Sequence, residues 1–124
     1  MATFDLTKDD FERFVTENEI VMVDFWAPWC APCRAFKPTY EAAAERHVDI
    51  KFAKVNTEEQ PEIAAAFNIR SIPTLMVFRE RVILYAEAGA LPPAALDEVI
   101  TKARSIDMDE VHREVAAQQT AAGG

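Results

Sequence analysis

The stretch IVMVDFWAPWCAPC, Ile20–Cys33, contains both cysteines and both tryptophans of the chain. Its first six residues, Ile20 to Phe25, are β-branched or apolar without alternation, broken only by Asp24. That pattern predicts a strand covered on both faces, hence a central strand. Beyond the cysteines, Phe36, Tyr40, Ala43, Ala44 and His47 recur at helical spacing, with Pro38 an expected kink. A central strand therefore runs through the cysteine segment straight into a helix.

Upstream, Thr7 and Asp10 have the spacing of a capping box, and Leu6 and Phe11 that of a hydrophobic staple, which predicts a helix from Lys8 to Glu17. Downstream the plan repeats. Ile50 to Val55 reads as a strand, and Glu58 to Phe67, with Ile63, Ala64 and Phe67 on one side, as a helix. Strand and helix in alternation imply parallel pairing. Thr74–Phe78 and Val82–Ala88 then form two β-rich runs around Arg79-Glu80-Arg81, as in an antiparallel hairpin, although no glycine marks the turn. After Gly89, Pro92 and Pro93 stand where a helix can start, with Leu96, Val99, Ile100 and Ala103 as its apolar stripe. Asp107 and Glu110 pattern a second capping box, and Met108, Val111 and Val115 a narrow stripe, before periodicity fades over 118–124. The expected organisation is one α/β domain over residues 1–105, a mixed sheet with helices on both faces, and an extension over 106–124 made of a short helix and a loose tail.

At 124 residues, one domain with a real core is expected. Half the residues are hydrophobic, but charges interrupt them, and no run approaches the roughly 18 apolar residues of a membrane span. Thirteen basic against 21 acidic residues give a net charge of -8, which opposes binding to nucleic acid. The first residues show no basic region followed by an apolar one, so a cytoplasmic location is expected. Two cysteines allow one bridge, which excludes a disulfide-scaffolded domain and makes their role local.

Thiols three positions apart on the first turn of a helix lie close enough to close a small disulfide. Free N–H groups and the dipole at a helix N-terminus favour the thiolate of Cys30, the attacking species in disulfide exchange. Cys30 is the expected nucleophile. Cys33, one turn inside and more shielded, is the expected resolving thiol. Pro32 removes a donor that would be unpaired there and stiffens the loop. The competing use of such a pair is metal binding, but zinc takes four protein ligands or three plus water. Only His47 and His112 remain to help. His47 ends the same helix roughly 20 Å away at helical rise, and His112 lies in the weakly patterned tail, so no metal site is expected. Asp24 has two readings. A buried carboxyl would have a raised pKa and could take the Cys33 proton as general base, whereas at an open strand edge it would simply be solvated. For Lys54, pointing to solvent is the default, and neutralising Asp24 from the neighbouring strand the alternative.

Taken together, Val23-Asp24-Phe25-Trp26-Ala27-Pro28-Trp29-Cys30-Ala31-Pro32-Cys33, Lys54-Val55-Asn56, Ile72-Pro73-Thr74 and Gly89-Ala90 resemble the thioredoxin family in order and spacing, over about Phe4 to Arg104. The resemblance implies a five-stranded mixed sheet flanked by four helices, with the short C-terminal helix added, and a cis peptide before Pro73 facing the cysteines. It implies attack by Cys30, resolution by Cys33, acid-base work by Asp24 and modulation of that carboxyl by Lys54. It places Trp29, Pro32, Ile72, Pro73, Gly89 and Ala90 at the surface that receives substrate backbone, with Trp26 packed beneath. It further implies a protein-disulfide reductase with no bound cofactor, acting on disulfide-containing proteins. A thioredoxin reductase would keep it reduced, with NADPH entering only through that partner. A monomer is the expectation. The chain departs from the family pattern at Ala31, where glycine is usual, which leaves the redox poise open. It also departs in its missing hairpin glycine and in the extension after Arg104. The alternatives to a reductase are an oxidant or isomerase on the same fold, a binding module indifferent to redox state, and two chains sharing a metal or iron-sulfur cluster.

Overall fold

A computed structural model describes residues 2–123. The elements follow in the order β1 (Thr3–Asp5), α1 (Phe11–Glu17), β2 (Ile20–Trp26), α2 (Ala31–Arg46), β3 (Lys51–Asn56), α3 (Pro61–Ala66), β4 (Thr74–Arg79), β5 (Val82–Ala88), α4 (Pro93–Ser105) and α5 (Met108–Gly123). The strands form one mixed sheet in the order β1-β3-β2-β4-β5. β2 and β1 each run parallel to β3, while β4 is antiparallel to both β2 and β5. β2 is thus central, as its unbroken apolar run predicts, and residues alternate between two buried layers.

Ile20 and Met22 on β2 and Phe52 on β3 pack with Phe36 and Tyr40 of α2 and Leu96 and Ile100 of α4. Val21, Val23 and Phe25 on β2 and Ala53 and Val55 on β3 pack with Phe11 and Val15 of α1 and Ile63 of α3. Strand parity therefore aims position 24, and position 54 with it, toward α2, the helix that carries the cysteines. The Tyr40 hydroxyl reaches the sheet from α2 and bridges two strands, at 3.0 Å from the Met22 carbonyl oxygen and 2.7 Å from that of Ala53.

Several boundaries differ from expectation for identifiable reasons. α1 starts at Phe11, not Lys8, because Asp10 reaches back to accept from the Thr7 N–H at 2.7 Å, holding 8–10 as a turn. Leu6 and Phe11 are both buried in one cluster, as a staple requires. α3 starts at Pro61, not Glu58, because Asn56 Oδ1 accepts from the N–H groups of Glu58 and Glu59 and closes an Asx turn first. The hairpin turn is built without glycine: Glu80 and Arg81 both take left-handed conformations, with φ of 51° and 69°. α5 spans 16 residues, so 118–123 are helical where a short helix followed by a loose tail was expected, and position 124 lies outside the described residues. No described helix is long and apolar enough to cross a membrane.

Candidate active site

Where β2 ends, the Trp26 carbonyl oxygen accepts from the Thr57 N–H at 2.8 Å and the Thr57 hydroxyl at 3.0 Å, so the loop after β3 fixes the strand end. The chain then turns, with the Cys30 N–H donating to Ala27 at 3.2 Å, and Cys30 itself caps α2. Cys30 Sγ accepts from the Cys33 N–H at 3.2 Å, so an orphan donor of the helix start is aimed at the sulfur. Arg34 donates to the Pro28 carbonyl oxygen at 2.8 Å and pins the loop from the other side. The two cysteines, with Cα atoms 5.2 Å apart, are joined as a disulfide. Their burial is nearly equal, at 4% and 3% exposure. At the level of the residues the difference in shielding is slight, and the two differ mainly in what they face.

Cys30 faces the loop before β4. Its Sγ lies 3.7 Å from the Ile72 carbonyl oxygen, and the Ile72–Pro73 peptide is cis. The Pro73 carbonyl oxygen accepts from the Gly89 N–H at 2.7 Å, which brings the end of β5 to the same spot. Gly89 has φ of 111°, a conformation that only glycine adopts without strain, and an added Cβ would meet nothing within 4 Å. Trp29, Pro32, Gly89 and Ala90 are exposed and Ile72 is half-buried, so one accessible surface adjoins Cys30. The Trp29 ring is 64% exposed, and its indole N–H donates to Glu58.

Cys33 faces the sheet. It shares a cavity of about 300 Å³ with Asp24, Trp26, Pro28, Arg34, Lys37 and Lys54. Asp24 is buried, at 2% exposure, which removes the reading of a solvated edge carboxyl. Loss of hydration pushes its pKa up to about 7, against the opposing pull of the Lys54 charge. Its Oδ1 has no hydrogen-bond partner. Lys54 is its register partner across β2 and β3, and is 9% exposed, so the default of a solvent-facing lysine is also overturned. The apolar stem is buried along the sheet, and the ammonium sits 4.8 Å from the centroid of the Trp26 ring. Trp26 packs against the buried cysteine cluster. His47 lies at the far end of α2, in contact with Asp97 and Arg104, and His112 contacts Glu80. The residues that sequence reasoning missed are Glu58, whose tie to Trp29 spans 29 positions, the Tyr40 hydroxyl, and Arg34 and Lys37 beside the cavity.

A disulfide held at a helix N-terminus accepts two electrons when it opens and returns them when it closes again, and on this mixed sheet that chemistry defines a thiol-disulfide oxidoreductase. The family model for thioredoxin matches residues 2–102. The chain is 57% identical over 122 residues to putative thioredoxin 2 of Streptomyces coelicolor, covering 98% of this chain and 91% of that one. With thioredoxin 1 of Synechococcus elongatus it shares 42% identity over 99 residues, 78% of this chain and 92% of that one. A solved thioredoxin from Plasmodium falciparum superposes with a TM-score of 0.75 at 33% identity, covering 80% of this chain and 97% of that one. The chain belongs to the thioredoxin family, whose members are protein-disulfide reductases.

Proposed function

We propose that this oxidoreductase reduces disulfides of cytoplasmic proteins and is itself recharged by a thioredoxin reductase drawing on NADPH. In the reduced form the Cys30 thiolate attacks one sulfur of the partner's disulfide. That bond breaks, a mixed disulfide forms on Cys30, and the first partner sulfur leaves and takes a proton. Cys33 then passes its proton to the Asp24 carboxylate and attacks Cys30 Sγ. The mixed disulfide breaks, the second partner sulfur leaves, and the Cys30–Cys33 bond closes, so two electrons have passed to the partner. The reductase reverses the closure. Trp29, Ile72, Pro73, Gly89 and Ala90 receive the partner's extended backbone beside Cys30, Pro32 stiffens the loop at its edge, and Lys54 tunes Asp24.

The observation that carries this reading is the burial of Asp24 in the cavity that also contains Cys33, with a carboxyl raised to about 7. A group titrating there is matched to proton transfer at neutral pH. The test is a redox titration of the Cys30/Cys33 couple in thiol-disulfide buffers, followed by tryptophan fluorescence. A two-electron transition below roughly -240 mV is expected of a cytosolic reductase, and one above roughly -180 mV would mean an oxidant or isomerase. The Cys30→Ser variant is expected to lose turnover on a disulfide protein completely.

A further inference from the structure

We infer that the cavity on the Cys33 side of the disulfide is a binding site for a tetrahedral oxyanion of the sulfate or phosphate class, held by Lys37 and Lys54 beside the Trp26 ring. The cavity, of about 300 Å³, is separate from the surface that adjoins Cys30, and three of its seven lining residues are cations: Arg34, Lys37 and Lys54. The chain carries a net charge of -8, so carboxylates are abundant. Among the described residues, Lys8, Arg46, Arg79, Lys102 and Arg104 all have a carboxylate at ion-pair distance. Arg34, Lys37 and Lys54 have none, and neither do Arg13, Lys51, Arg70, Arg81 and Arg113 among the described residues; what sets the three apart is that they line one cavity. The Trp26 ring lines the same cavity with the Lys54 ammonium 4.8 Å from its centroid, so its indole signal reports on what binds there.

The donor set selects the ligand. Arg34 already spends its guanidinium on the Pro28 carbonyl oxygen and forms a charged wall. Lys37 is exposed and lines the cavity mouth. Lys54 is buried with its ammonium over the Trp26 ring. Two ammonium groups supply donors in excess of acceptors, which fits an anion with several oxygens and rejects a metal cation. Asp24 is the acceptor that faces these groups, and its unpartnered Oδ1 can donate to a bound oxygen only when protonated. Glu58, on the loop after β3, is tied to the Trp29 indole. Anion binding and Asp24 ionisation therefore oppose each other reciprocally. Because Asp24 is the base proposed for Cys33, occupancy slows release of the reduced partner, a consequence that rests on the proposed acid-base role.

The test is a sulfate titration of the ¹⁵N-labelled oxidised protein, with chloride at matched ionic strength as control, reading the two indole N–H signals, which Trp29→Phe assigns. Sulfate keeps its charge at neutral pH, so any pH dependence belongs to the protein. The Trp26 signal is expected to shift saturably with a dissociation constant on the order of millimolar, while the Trp29 signal stays. Lys37→Ala is expected to weaken binding about fivefold, and raising the pH from about 6 to about 8 to weaken it about fivefold as Asp24 ionises. A linear drift, an equal response to chloride, or unchanged affinity in Lys37→Ala would overturn the site. In a disulfide-reduction assay, sulfate is expected to slow the wild type more than Lys37→Ala. A saturable Trp26 shift with no slowing would overturn the link to the redox step, and absence of any reductase turnover would overturn the functional reading while leaving the binding result to stand.

Discussion

Asp24 interrupts a strand that is otherwise apolar, and the sheet buries it without a partner for Oδ1. Its pKa rises from an ordinary 3.8 to about 7 in the folded chain. Below the unfolded pKa both states are protonated, and Asp24 costs nothing. As pH climbs from about 4 to about 7 the unfolded chain releases the proton first, so stability falls, and it levels off above the folded pKa. Three units correspond to roughly 4 kcal/mol. Asp24→Asn is accordingly expected to raise stability at pH 7 by up to about 4 kcal/mol while slowing turnover, and to leave stability near pH 4 almost unchanged. Denaturant melts at both pH values check this, and a destabilised variant at pH 7 would refute the burial cost. The cysteines were legible because their spacing has two main uses and the sequence offers no further ligands near them for the other, metal binding. Asp24 and Lys54 were legible only as alternatives, since lysine is rarely buried, and what buries this one is its register beside Asp24 and the Trp26 ring.

At the scale of elements, the period of the apolar pattern located β2, β3, β4, β5 and the helices, because each buries a face that needs one period. β1 escaped that reading: it has three residues, two of them exposed, and exists through its parallel pairing with β3. The hairpin between β4 and β5 was legible from its strands, but its turn was not. Glu80 and Arg81 occupy left-handed conformations that side chains resist by roughly 1–2 kcal/mol each. The turn is held from outside, since the Glu80 N–H donates to the Glu19 carbonyl oxygen at 2.8 Å and its carboxylate contacts His112 of α5 at 2.8 Å. Arg81→Gly relieves one strained position without touching those contacts, and is expected to stabilise the fold by about 1 kcal/mol, read as a higher melting temperature with the redox potential unchanged. Within α2, Tyr40→Phe removes the hydroxyl that reaches the carbonyls of Met22 and Ala53, with an expected loss of about 1 kcal/mol in a denaturant melt.

On the scale of the whole molecule, two ends of one sheet carry different burdens. The C-terminal ends of β2 and β3 present the disulfide, while the opposite end, where β4 finishes, joins the sheet to α4 and α5. Arg79 makes that joint: its guanidinium donates to the carbonyl oxygens of Ala103, Arg104 and Ile106, at 2.9, 3.1 and 3.1 Å. These carbonyls close α4, where the helix leaves its last acceptors unpaired and a positive charge is favoured. Met108, the first residue of α5, is buried just beyond the joint. Arg79→Gln removes the charge and shortens the reach, leaving those carbonyls without their donor, so a loss of about 2–3 kcal/mol is expected from the charged hydrogen bonds alone. The disulfide lies at the other end of the sheet, so the rate of disulfide reduction per folded molecule is expected to stay at the wild-type value. Thermal melts paired with a turnover assay below the melting range separate the two effects, and a variant that melts normally or loses turnover while folded would show that the joint and the redox end are not independent.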